Sequence, residues 1–150
     1  MSMELRELYQ EVILDHNRRP RNRGKLEEPT GFAEGYNPLC GDHVKVYLHT
    51  DGGRVDEISF EGSGCAISTA SASLMTEAIK GKTLDEVEAM FREFQTMVTA
   101  TGEAEEHPAL GDLEVFGGVR EYPVRIKCAT LPWHTLKAAL KGEADKVSTE

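Results

Sequence analysis

The sequence predicts an α+β fold: a small, mainly antiparallel sheet packed with helices. Three observations predict it. Two apolar-alternating segments meet at Asp51-Gly52-Gly53, segments with helical apolar spacing stand on either side of them, and 150 residues suffice for one self-supporting core. The whole of 1–150 is therefore read as a single domain.

The first stripe, Leu5, Leu8, Tyr9, Val12 and Ile13, has the i, i+3, i+4, i+7, i+8 spacing of a helix with one buried face, and Ser2 is its available cap. Arg18-Arg19-Pro20 ends that helix, because proline disfavours helical geometry in the residue before it. Arg18, Arg19, Arg21 and Arg23 form a dense basic cluster that reads as a solvated helix end, with docking of an acidic partner as the functional alternative. Residues 26–39 contain Pro29, Gly31, Gly35 and Pro38 and read as irregular. Val44, Val46 and Leu48 then alternate with Lys45, Tyr47 and His49, and Val55, Ile58 and Phe60 follow the turn. Asp-Gly between two such segments is a hairpin signal.

Residues 66–80 are rich in Ala, Ser and Thr and read as a helix that packs closely on the sheet, with Gly81 just past its end. Thr83-Leu84-Asp85-Glu86 is a capping box that opens another helix through about Val98. Residues 99–118 look less regular. Val124 to Leu140 reads as mostly helical, with Pro132 either kinking it or sitting in the first turn of its second half. Residues 141–150 are expected to form a frayed polar tail.

Composition excludes several classes. The formal charge is −9, from 26 acidic and 17 basic residues, which argues against a nucleic-acid partner that would require a basic face. No apolar run approaches the roughly 18 residues of a membrane span. The charged start, Met1 to Leu8, lacks the apolar region of a secretory signal, so a cytoplasmic protein is expected. An odd number of cysteines fits that reducing compartment better than a disulfide framework does.

Those cysteines are the centre of interest. They occur as Asn37-Pro38-Leu39-Cys40-Gly41-Asp42, Gly62-Ser63-Gly64-Cys65-Ala66 and Arg125-Ile126-Lys127-Cys128-Ala129. Three thiols and the Asp42 carboxylate make four ligands, the number that zinc takes in a tetrahedral site. The spacings, 25 and 63 residues, are unlike the closely paired ligands of zinc fingers. Context is what supports the set. Cys40 and Asp42 precede one strand of the hairpin and Cys65 follows its partner, and those two ends are neighbours. Cys65 also falls at a helix N-terminus, where orphan amides favour thiolate over thiol.

In their order and context, Cys-Gly-Asp, then Gly-Ser-Gly-Cys-Ala-Ile-Ser after a hairpin, then Arg-Ile-Lys-Cys-Ala-Thr-Leu before a helix resemble the IscU/NifU N-terminal superfamily of iron–sulfur cluster assembly proteins. The resemblance covers essentially the whole chain and is closest to the SufU-like branch. IscU-type scaffolds carry a histidine immediately before the third cysteine, and here that position is Lys127. SufU-type proteins have an insertion between the second and third cysteines, assigned here to about residues 93–118.

The resemblance implies a zinc set of Cys40, Asp42, Cys65 and Cys128. It further implies acceptance of persulfide sulfur from a SufS-type cysteine desulfurase, as a zinc-dependent sulfurtransferase would do. Downstream recipients would be apo iron–sulfur proteins or a scaffold. Cys40 is the expected acceptor, because its glycine-containing loop should be the most mobile carrier of a ligand. Arg125 and Lys127 are placed to offset the site's negative charge. His43 is a further supporting candidate, although neighbours on a strand face opposite sides. Two alternatives use the same atoms: a scaffold holding a transient [2Fe–2S] cluster or iron, and a structural zinc domain serving as an interaction module. A Cys–His hydrolase is disfavoured, since no histidine stands in a convincing context, and His49, His107 and His134, without a flanking ligand pattern, are expected at the surface.

Overall fold

The computed structural model describes residues 3–38, 41–102, 105–141 and 147–148, with side chains described only within 10–141. Helix α1 spans Met3–Arg18, followed by strands β1 (Gly31–Asn37), β2 (Asp42–Asp51) and β3 (Arg54–Ser63). Helix α2 (Ala66–Ile79), helix α3 (Leu84–Thr99), a kinked 3₁₀ segment over Pro108–Glu121 and helix α4 (Pro123–Leu140) come next, and Val147–Ser148 forms a short β4. The sheet order is β3-β2-β1-β4; the first three strands are antiparallel, and β4 joins β1 in parallel.

The hairpin forms as expected, with Asp51 opposite Arg54 across Gly52-Gly53. The capping box closes in both directions: Glu86 N–H donates to Thr83 Oγ1 at 3.2 Å, and Thr83 N–H donates to Glu86 Oε1 at 3.0 Å. Helix α1 ends at Arg18, and its Val12 and Ile13 pack against the core; Ser2 lies outside the described residues. Of the basic cluster, Arg21 is engaged with Asp15 at 2.6 Å. His16 is buried against α2, where its Nδ1 lies 2.7 Å from Ser73 Oγ.

Four expectations need correction. Residues 31–37, read as irregular, are a seven-residue strand. Their glycines look like breakers in isolation, but a Cβ at Gly31 would collide with the Ala139 carbonyl and one at Gly35 with Thr135. They are glycines because α4 lies against β1 there, at backbone contact. Second, 108–121 is not merely loop: its Leu110, Leu113 and Phe116 are buried in the core. Third, His107, expected at the surface, is buried, with Nδ1 3.0 Å from Glu93 Oε1. Fourth, Val147 and Ser148 of the expected tail pair with Gly35 and Tyr36.

Helix α4 crosses β1 and β2 as one element that continues through Pro132. Its second half carries Trp133, which stacks on Phe94 with centroids 4.8 Å apart. Phe94 in turn meets Phe116 edge-on at 5.9 Å. Residues 93–118 thus share the one core of the domain. Helix α2 buries mostly small residues, Ser68, Ala70, Ser71, Ala72 and Ser73 among them. That lets it approach its neighbours closely, and Ser71 Oγ donates to the Ala129 carbonyl of α4 at 2.6 Å. The helix contacts therefore leave one end of the sheet, where β1, β2, β3, α2 and α4 converge, to be filled by polar side chains.

Candidate metal centre

Three of the four expected ligands meet at that end. Asp42, Cys65 and Cys128 offer ligand atoms that all lie within 4.8 Å of one another. Cys40 lies outside the described residues.

Each of the three is placed by a different element. Asp42 opens β2 and is fully buried. Its Oδ1 accepts the Cys65 backbone N–H at 2.8 Å, and its Oδ2 stands 3.9 Å from Cys65 Sγ. Cys65 is the N-cap of α2, with extended backbone geometry, and its half-buried sulfur accepts the Ser68 N–H at 3.5 Å. A thiol thus does the work usually given to a Ser or Asp oxygen at that position. Cys128 sits in the second turn of α4 and is buried.

Gly64 makes the arrangement sterically possible. A Cβ at this position would strike the Asp42 side chain at its Oδ1 and Cβ. Any residue but glycine would displace the carboxylate from the thiols.

The donor chemistry fits zinc. Thiolate sulfur and carboxylate oxygen are both zinc donors. Three anion-forming groups gathered in so small and largely buried a space also call for a cation to balance them.

The supporting residues divide. Arg125 is exposed one turn before Cys128, and its guanidinium lies over the Tyr122 ring, 5.0 Å from the centroid. Lys127 is half-buried beside Cys128 in sequence. His43 is not at the centre: it faces the other side of the sheet from Asp42 and pairs with Glu34 at 3.1 Å. Strand alternation is the reason. On that outer face Tyr47 donates to Glu61 at 2.7 Å, and burial first, then this bond, push its phenol up to about 12.

Sequence reasoning missed Asn37. It ends β1, is fully buried, stands opposite Asp42 in the strand register and reaches both Asp42 and Cys128. Its place in the Asn-Pro-Leu-Cys-Gly-Asp stretch was the available signal.

Comparison with known proteins gives a consistent result. Residues 8–141 match the NifU-like N terminal domain. The chain is 43% identical over 136 residues to the zinc-dependent sulfurtransferase SufU of Bacillus subtilis, covering 91% of each. It is 40% identical over 145 residues to the iron–sulfur cluster assembly scaffold protein IscU of Streptococcus pyogenes, covering 95% of this chain and 88% of that protein. Among solved structures, an iron–sulfur cluster assembly scaffold protein for the SUF system from Fervidobacterium islandicum superposes with a TM-score of 0.81 at 40% identity, over 89% of this chain and 97% of that one. A NifU-like protein from Brucella abortus superposes with a TM-score of 0.81 at 29% identity, over 93% and 96%.

Proposed function

The chain belongs to the NifU-like N-terminal domain family, and from that premise we propose that it is an iron–sulfur cluster assembly protein that accepts persulfide sulfur from a cysteine desulfurase. The observation that carries this reading is the convergence of Asp42, Cys65 and Cys128 on one point. Zinc bound there would hold the cysteines as thiolates at neutral pH, which is the form that attacks sulfur.

The transfer itself is an exchange between sulfurs. The accepting thiolate attacks the outer sulfur of the desulfurase's cysteine persulfide. A new S–S bond forms, the old one breaks, and its electron pair leaves on the desulfurase cysteine as thiolate; nothing is oxidised overall. Cys40 is the acceptor in this proposal. Cys65 is held by its cap to Ser68 and Cys128 by burial in α4, whereas Cys40 is followed in sequence by a glycine that leaves its backbone free to move. The partner is a SufS-type desulfurase, the recipients are apo iron–sulfur proteins or a scaffold, and the compartment is the cytoplasm. Among the described residues, no helix is long and apolar enough to cross a membrane.

A second reading uses the same ligands to assemble a transient [2Fe–2S] cluster. The likeness to scaffold proteins supports it. One experiment separates the two: turnover of a purified cysteine desulfurase with the zinc-loaded protein and no iron. Strong stimulation, lost in Asp42→Ala and Cys40→Ala, is the expected result. No stimulation, with a cluster forming once iron and sulfide are supplied, would establish the scaffold instead. Full sulfur uptake by Cys40→Ala would move the acceptor role to Cys65 or Cys128.

A further inference from the structure

Asn37 occupies a position that the ligand set alone does not explain. It is a neutral amide with no exposed surface, at the last position of β1. Its Nδ2 lies 3.5 Å from Asp42 Oδ2 and 3.7 Å from Cys128 Sγ. The contact to sulfur is of ordinary length for an N–H to a large acceptor, and the one to oxygen is at the long limit. An amide carries two N–H donors, so one group can serve both acceptors at once. The amide's orientation follows from chemistry: a carboxylate and a thiolate only accept, so the nitrogen must be the end that faces them.

Two things follow from where Asn37 sits. Its backbone is fixed by the β1–β2 ladder, in which it stands directly opposite Asp42, while Cys128 arrives from α4 on the other side. The amide is therefore a tie between sheet and helix, made at the centre itself. It is also a donor of partial positive charge to two anionic ligands in a buried place, where such bonds are stronger than in water. The exposed guanidinium of Arg125 does not supply this, since it is directed over the Tyr122 ring.

We propose that Asn37 is a positioning residue of the metal centre: its side-chain amide, donating to both Asp42 and Cys128, holds the carboxylate and the thiolate in register and sets the affinity for zinc. This rests on the metal-centre reading above. Partners that orient a metal ligand from behind typically change affinity by about 10–100-fold when removed. The tie also bears on which ligand can leave. Asp42 is held by Asn37 and by the Cys65 N–H, Cys128 by Asn37, and Cys65 by its helix cap.

The test is zinc competition against a chromophoric chelator for the wild type and Asn37→Leu, which keeps the branched shape and removes both donors. The cobalt-substituted forms are compared through their sulfur-to-metal charge-transfer bands, and zinc-free unfolding midpoints are measured alongside. The expected result is zinc affinity weaker by about 10–100-fold in Asn37→Leu, with shifted cobalt bands. Unchanged affinity and unchanged bands would overturn the proposal, and so would a lowered zinc-free midpoint with unchanged affinity, which would make Asn37 merely structural. Should Asn37→Leu fail to fold, Asn37→Ser, with a single shorter donor, is expected to show an intermediate loss, and wild-type affinity there would overturn the proposal equally. No desulfurase enters the measurement, so it stands apart from the test of sulfur acceptance. A wild-type chain that bound no zinc would sink the metal reading and this inference with it.

Discussion

Helix α4 passes through two unlike halves of one interior. Around Trp133 the neighbours are Phe91 and Phe94, and Phe94 in turn meets Phe116 edge-on. Around Cys128, five residues earlier, they are Asn37, Asp42 and Cys65. The aromatic half is held by buried area and shape, so its stability depends little on whether a metal is bound. The polar half buries groups that need partners, so its stability depends on ligand. One helix therefore links a part of the molecule that is indifferent to metal to a part built to respond to it.

The largest break in this comparison comes from the aromatic side. Phe94→Ala removes a ring that is fully buried between Trp133 and Phe116 and should cost about 3–5 kcal/mol in urea unfolding. The cost should be the same with zinc present or removed by chelator. A cost that depends on zinc would mean that the two halves are not separate.

A smaller effect comes from the other half. With free zinc at about 100 times its Kd, the zinc-bound protein should be more stable than the zinc-free one by about 2.7 kcal/mol. Phe94→Ala should keep that increment and Cys128→Ser should lose most of it, as read by paired unfolding curves. An increment retained in Cys128→Ser would remove Cys128 from the ligand set.

The smallest effect concerns the seam between α1 and α2. Burial first, then the Arg21 guanidinium, hold the His16 imidazole below its ordinary pKa, against the opposing pull of Glu77, Asp15 and Asp112. The folded state thus favours the neutral ring. Its contribution is fully present above the unfolded value near ~6.5 and is lost as pH falls through the depressed folded value. Zinc-free unfolding midpoints should accordingly drop between pH 7.5 and 5.5, and His16→Gln should flatten part of that slope. His134 in the aromatic half, lowered by burial and then by Lys137, contributes in the same direction and accounts for some of what remains. An identical slope in His16→Gln and the wild type would refute the assignment.

The sequence revealed the two halves unequally. The hairpin, α2 and the capping box of α3 rest on signals a few residues long, and all three appear where they were expected. The meeting of Asp42 and Cys65 was legible because the hairpin itself brings its two ends together, whereas the place of Cys128 beside them was implied only by the family resemblance. Strand β1 was not legible. Gly31 and Gly35 break a strand pattern locally, and only the packing of α4 explains them. Asn37 was hidden for the same reason, because its meaning lies in the register that sets it opposite Asp42. His107 and Glu93 lie fourteen residues apart, with no periodic pattern linking them, and their pairing is a product of the fold.

The contact at Gly64 has an evolutionary consequence. Position 64 and position 42 share one volume, so neither can drift alone. A side chain at 64 requires that the acid at 42 be shortened, moved or lost, and the acid in its present place requires the glycine. The two positions are coupled through space, and alanine at 64 is expected to push the Asp42 carboxylate away from the two cysteines.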